Sequence, residues 1–289
     1  MPNLFARRLI LLLAAVTAPV HGFGQESAIS REHHPWGRFE PGAWTTVRVV
    51  TETFQGEETV TSVTETKTTL VEVDDQGVTL LIETSLSVGG KQFDTEPRRV
   101  KEGFRGESAA EGLTIKSLGE GTVTIQERQI LCKIEQIQYS TAAGVTTTKI
   151  YYSSTVEPYV LRRETVRTDP EGKTTSSETT MEVTALGVPC TIFRNLQRTA
   201  HVKSVHKHAQ GTTTSLAVTA TAVPGGLVCR TTKEFDKEER LVSRSTLDLV
   251  DWGLQEEADR TGLFHRRIGR YRRSFKSTPR RLKPSPSDG

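Results

Sequence analysis

Thirty-eight threonines fall between Thr45 and Asp251 of this 289-residue chain, and no other feature restricts the fold as strongly. The branched Cβ of threonine limits χ1, disfavours helix and packs well on a pleated surface. The apolar residues among them alternate. Val78, Leu80, Ile82, Leu86 and Val88 share one parity, with Thr84 between them. Ile130, Cys132 and Ile134 keep the same two-residue period, as do Leu241, Leu247 and Leu249 with Ser243 and Ser245. Such strands turn one face to a core and one to water, as antiparallel sheets allow. Turn-forming clusters fall between the runs: Asp74-Asp75-Gln76-Gly77, Ala142-Ala143-Gly144, Asp169-Pro170-Glu171-Gly172 and Asp236-Lys237-Glu238-Glu239.

These patterns predict a mainly β protein of roughly eleven to thirteen strands. The expected architecture is a large curved antiparallel sheet or incomplete barrel, built from meanders and with few short helices. Ser108–Glu120 is expected to hold a short helix or a loop, and Cys190 to sit in a turn at Gly187-Val188-Pro189-Cys190. Asp251–Arg267 and Ile268–Phe275 are expected to be partly helical, interrupted by Gly253, Gly262 and Gly269.

The two ends differ from this body. Arg7 and Arg8 precede an apolar run from Leu9 to Val16, followed by small and turn-prone residues up to Gly24. That order fits a signal peptide over residues 1–24, and the run is too short to span a bilayer. The expected location is therefore periplasmic or secreted. Residues 25–43 form a lead-in, residues 44–253 a single β-rich domain, and residues 254–289 a basic, partly disordered tail. The formal charge of +3 hides this division. Without Arg7 and Arg8 it is +1, and from Arg260 onward the chain carries +9, so residues 25–259 carry about −8.

Within the body, Thr146–Gly187 recurs without a gap at Thr212–Gly253, an offset of 66 residues. Pro158 matches Pro224, Leu161 matches Leu227, Ser177 matches Ser243 and Gly187 matches Gly253. Each copy reads as a three-stranded meander whose apolar face a neighbour must cover.

The first copy carries a family resemblance. Lys149-Ile150-Tyr151-Tyr152-Ser153-Ser154-Thr155-Val156-Glu157-Pro158-Tyr159-Val160-Leu161-Arg162-Arg163-Glu164, followed by Asp169-Pro170-Glu171-Gly172-Lys173, resembles a segment of bacterial lipoprotein-carrier-like (LolA-like) exported proteins. The resemblance covers mainly Thr146–Gly187, with Thr212–Gly253 as its second copy. It implies a strongly curved antiparallel sheet, with helices across its mouth and, in some members, an acyl chain in the concavity. This chain departs from that pattern in its lack of evident plug helices, its second meander and its threonine content. The resemblance transfers no ligand-binding residue.

Catalytic signatures are missing from the sequence. It has no G-x-S-x-G elbow, H-E-x-x-H helix, P-loop or dinucleotide fingerprint. No catalytic residue, cofactor or metal site is assigned. His201, His206 and His208 are read as strand histidines, with His206 and His208 on one face and His201 on the other. His33 and His34 are read as surface sequence. Cys132 and Cys229 are read as buried strand thiols, and no pairing with Cys190 is fixed by spacing. The tail is the sharpest local signal. Arg266, Arg267, Arg270, Arg272, Arg273, Lys276, Arg280, Arg281 and Lys283 are interleaved with Tyr271 and Phe275. They suit an anionic membrane surface or an acidic envelope polymer, and export makes nucleic acid a poor partner. The sequence favours a non-enzymatic exported binding or envelope-associated protein, with a lipid or other apolar ligand as its more specific form. The alternatives are an exported hydrolase with a site formed only in three dimensions, and a structural or interaction module.

Overall fold

A computed structural model describes residues 29–56, 58–107, 113–141 and 144–254. Among these residues lie one 3-10 turn, Arg31–His33, and fourteen strands. The strands are β1 (Trp44–Gln55), β2 (Glu58–Val73), β3 (Gly77–Val88), β4 (Lys91–Asp94), β5 (Arg98–Gly103), β6 (Thr114–Ile125) and β7 (Arg128–Thr141). They continue with β8 (Gly144–Tyr152), β9 (Val160–Thr168), β10 (Thr175–Ile192), β11 (Asn195–His208), β12 (Gly211–Thr219), β13 (Leu227–Asp236) and β14 (Leu241–Gly253). All belong to one sheet, in the order β4-β3-β2-β1-β14-β13-β12-β11-β10-β9-β8-β7-β6, with β5 also on β3. From β6 to β14 the chain is an uninterrupted meander. The pairing of β1 with β14 joins its end to the N-terminal strands.

The sheet is not closed into a barrel, yet it bends far round. Arg105, just after β5, forms an ion pair with Glu135 of β7 at 2.7 Å. Eleven strand-to-strand steps separate β5 from β7 along the sheet. At about 4.8 Å per step, a flat sheet would hold them about 50 Å apart. The two edges therefore meet across the inner face, through the segment that follows β5. Phe104 packs on both sides of this junction. It touches the cluster of Trp36, Ala43, Leu70, Val78 and Leu80 and also that of Ile29, Ile137, Ile150 and Tyr152.

The inner face is apolar at one end and hydroxylated along its length. Register places Ile150, Arg163 and Met181 side by side on β8, β9 and β10. The same row continues through Ser204, Ser215, Thr232 and Ser245. Hydroxyls pair across the strands: Thr148 with Thr165 at 3.0 Å, Ser215 with Thr232 at 2.9 Å and Thr66 with Thr84 at 3.4 Å. Each such pair contributes on the order of 0.2–1 kcal/mol. The threonine excess thus supplies the inner surface as well as strand propensity.

The two meanders share their hairpin geometry at an offset of 67, one residue from the 66 of the sequence match. Tyr152 pairs with Val160 after a bulge, and Thr219 pairs with Leu227 after the same irregularity. Ser153 N donates to Tyr159 O and Ala220 N to Gly226 O, both at 2.8 Å. A Cβ on Gly144 would strike the carbonyl of Thr168, and one on Gly211 that of Phe235. The next turn is one residue shorter in the second copy, so Ser177 and Ser243 fall back to an offset of 66. Pro158 and Pro224 therefore do not occupy equivalent places.

Two local expectations are corrected. Thr114–Glu120, within the stretch expected as a helix or loop, is strand, because it pairs along β7 from Gln138 to Lys133 as part of β6. Residues 108–112 of that stretch lie outside the described residues. Cys190 lies within β10, opposite Gln197, rather than in a turn. Beyond Glu182, β10 no longer pairs with β9, so Pro189 sits where one side of the strand is free and its missing N–H is tolerated. Asp251–Gly253 closes β14 as strand, Leu254 is a bend, and the expected helical stretch beyond it lies outside the described residues.

Candidate ligand cavity

The lead-in closes one end of the curved sheet. The turns after β2, β8 and β12, the start of β1 and the end of β14 all lie at this end, as antiparallel order requires. The lead-in is held down on two of them. Arg38 donates Nη1 to Thr221 O at 3.1 Å and Nη2 to the Tyr159 hydroxyl at 3.0 Å, bridging the β8–β9 and β12–β13 turns. Gly225 N donates to Pro35 O at 3.1 Å. Trp36 lies over Gly225, where any Cβ would come within 2.8 Å of the indole. That close approach, together with a φ of +75°, accounts for glycine there.

Of the two lead-in histidines read as surface sequence, His34 is buried and His33 half-buried. His33 stacks on Tyr159 with ring centroids 4.1 Å apart, and its Nδ1 bonds the Tyr152 hydroxyl. His34 is 4% exposed. Its Nδ1 accepts from Trp36 N at 3.2 Å and Gly37 N at 3.0 Å, which leaves the proton on Nε2. Burial, reinforced by the charge of Arg163, lowers its pKa to about 4. These bonds commit His34 to shaping the turn. The protein needs it neutral.

Beneath the lead-in lies a cavity of about 300 Å³. Its apolar wall comes from Ile29, Phe104, Val160, Met181, Val202 and Ala220. Polar groups converge at one side. Arg163 donates Nη2 to Arg105 O at 2.6 Å, while its Nε has no acceptor. Burial lowers its pKa against the opposing pull of Glu102, Glu107 and Tyr139. Glu102 also lines the cavity, and burial raises its pKa despite the nearby Arg163 charge. A mainly apolar concavity with a few polar groups suits a small amphiphile. Water claims about 30 Å³ per molecule in the liquid, so the cavity has room for on the order of ten non-hydrogen atoms.

The sequence marked none of these lining residues as a site. Alternation does not single out Arg163, because a bulge at Leu161 interrupts the strand; register sets it opposite the buried Ile150. The basic residues Arg266, Arg267, Arg270, Arg272, Arg273, Lys276, Arg280, Arg281 and Lys283 lie outside the described residues, as does the signal segment 1–24. On β11, His206 stacks on His208 at 5.2 Å and bonds Thr179 Oγ1 at 2.7 Å. His201 stands opposite Ala185 and Val218. No group of three or more metal-ligating side chains occurs among the described residues. Cys132, Cys190 and Cys229 are free thiols, Cys132 being buried.

This is an antiparallel β-sheet protein with a plugged inner cavity. No protein-family model matches the chain, and no curated protein matches it. Among solved structures it is similar to a candidate lipoprotein from Parabacteroides distasonis, with 13% identity, a TM-score of 0.33, and coverage of 76% of this chain and 98% of that one. A candidate exported protein with a YmcC-like fold from Bacteroides fragilis has 8% identity and a TM-score of 0.28, covering 74% of this chain and 97% of that one. A candidate outer membrane lipoprotein-sorting protein domain from Vibrio parahaemolyticus has 9% identity and a TM-score of 0.33, covering 75% and 87% respectively. At such TM-scores these likenesses carry no functional argument.

Proposed function

We propose that this protein is an exported, non-enzymatic binding protein that carries a small apolar or acyl ligand beneath its N-terminal lead-in. The observation that carries the reading is the cavity of about 300 Å³ with its Ile29, Phe104, Val160, Met181, Val202 and Ala220 wall. Away from the cavity the Met181 row continues in hydroxyls, through Ser204, Ser215, Thr232 and Ser245. Native mass spectrometry of protein purified from its exporting host, followed by organic extraction, tests it. Stoichiometric co-purifying ligand with an apolar chain is the expected result. Clean apo protein that also takes up no added short-chain amphiphile overturns it.

The basic tail gives this carrier a surface to work from. Arg266, Arg267, Arg270, Arg272, Arg273, Lys276, Arg280, Arg281 and Lys283 supply phosphate-binding cations, and β14 ends at the same end of the sheet as the cavity. The partner is an anionic membrane surface of the envelope. A truncation after Asp259 is expected to lose binding to vesicles containing anionic phospholipid, and the full chain to be released by added salt. Equal vesicle binding by both proteins removes this role.

A further inference from the structure

We propose that Arg163 is the head-group receptor of the cavity, and that the ligand is an amphiphile with an oxyanion head, a carboxylate or a phosphate monoester. This rests on the carrier reading above and adds the chemical class of the ligand.

Three observations carry it. First, Arg163 stands on the inner face among apolar neighbours, opposite Ile150 and Met181, where a leucine or methionine would fill the space at no electrostatic cost. Second, its hydrogen bonding is incomplete. Nη2 is held by Arg105 O at 2.6 Å, and Nε has no acceptor. A buried guanidinium with an unused Nε–H is costly to fold around, and an oxyanion in the cavity that Arg163 lines would offset that cost. Third, the backbone is fitted to the guanidinium. Gly106 adopts a φ of +79° and packs directly against it, so that a Cβ there would fall 2.8 Å from Nη1.

The nearby carboxylates do not satisfy Arg163. Glu107 turns Oε2 to the Arg105 amide at 2.9 Å. Burial raises the Glu102 pKa, and no ion pair within 4.0 Å joins its carboxylate to Arg163 among the described residues. His34 is neutral, and Arg38, which also lines the cavity, already donates Nη1 to Thr221 O and Nη2 to the Tyr159 hydroxyl. An oxyanion at Arg163 with its chain against Val160, Met181 and Val202 uses both sides.

Octanoate, hexyl phosphate, octanol and octylamine are matched to the cavity in size, and calorimetric titration of the full-length mature protein with each is the test. Octanoate or hexyl phosphate is expected to bind at least about tenfold more tightly than octanol, with octylamine weakest. Whichever of the two anions binds more tightly distinguishes a carboxylate source from a phosphate one. Arg163→Met is expected to abolish the anion preference while octanol binding is kept. Equal binding of octanol and both anions by the wild-type protein overturns the head-group role and leaves the cavity reading intact. So does an Arg163→Met protein that keeps the preference. No binding of any of the four overturns both. The wild-type series stands alone if Arg163→Met fails to fold.

Discussion

Glu135→Ala is expected to lower the unfolding free energy by about 3–5 kcal/mol, because it leaves Arg105 charged and unpaired in the interior. Both side chains are nearly buried, at 10% and 11% exposure, and Arg105 Nε donates to Glu135 Oε2 at 2.7 Å. The same arginine donates its backbone N–H to Glu107 Oε2 and offers its carbonyl to Arg163. Loss of Glu135 thus disturbs the contact through which the two edges of the sheet meet. Arg105→Met together with Glu135→Leu removes both charges and fills the space, so the double replacement is expected to cost much less than Glu135→Ala alone. Urea denaturation of the three proteins measures this. A loss below about 1 kcal/mol for Glu135→Ala would show that the ion pair does not hold the edges together.

Protein stability is expected to fall as pH drops from 6.5 toward 4, and His34 is the reason. The folded state holds this imidazole neutral down to about pH 4, while the unfolded chain protonates near the ordinary value of 6.5. Between those values the unfolded state binds the extra proton, so lowering the pH favours unfolding. A gap of about 2.5 units corresponds to about 3 kcal/mol, fully expressed near pH 4 and absent above pH 6.5. Arg163, whose charge opposes protonation, and the Phe104 ring, 5.6 Å away edge-on, are the groups that face it. Glu102 acts in the opposite sense. Its raised pKa makes the folded state the better proton acceptor, so it contributes relative stability as the pH falls.

The comparison with His34→Asn separates the two. An asparagine side-chain oxygen can accept from Trp36 N and Gly37 N as Nδ1 does, without titrating. The variant is expected to unfold at nearly the wild-type urea midpoint at pH 7 and to exceed it at pH 4.5. Parallel pH profiles for the two proteins would remove His34 as the source of the effect.

Much of the fold was legible in local patterns. Strand and turn positions followed from two-residue alternation and from Asp, Gly and Pro clusters, because strand propensity and turn chemistry are local properties. The Asp169 and Asp236 turns illustrate this: each carboxylate accepts backbone N–H groups within its own turn. The sequence repeat was legible only in part. An ungapped comparison aligned Pro158 with Pro224, whereas the hairpin registers align Gly144 with Gly211 and Asp169 with Asp236. One residue lost from a turn was enough to hide the correspondence.

The cavity was hidden for a different reason. Its residues come from the lead-in, the end of β5, β9, β10, β11 and two turns, which alternation cannot bring together. His34 looked like surface sequence because its burial depends on groups far off in the chain, such as Phe104 and Arg163.

The sequence by itself determined that this chain forms antiparallel strands in meander order, because threonine content, side-chain period and turn chemistry act within a few residues. Tertiary structure alone decided how far the sheet bends, that Phe104 and Arg105 bring its two edges together, and that the lead-in seals one end over Arg163. Those outcomes depend on packing between residues far apart in the chain, and a periodic pattern holds no information about which distant side chains will meet.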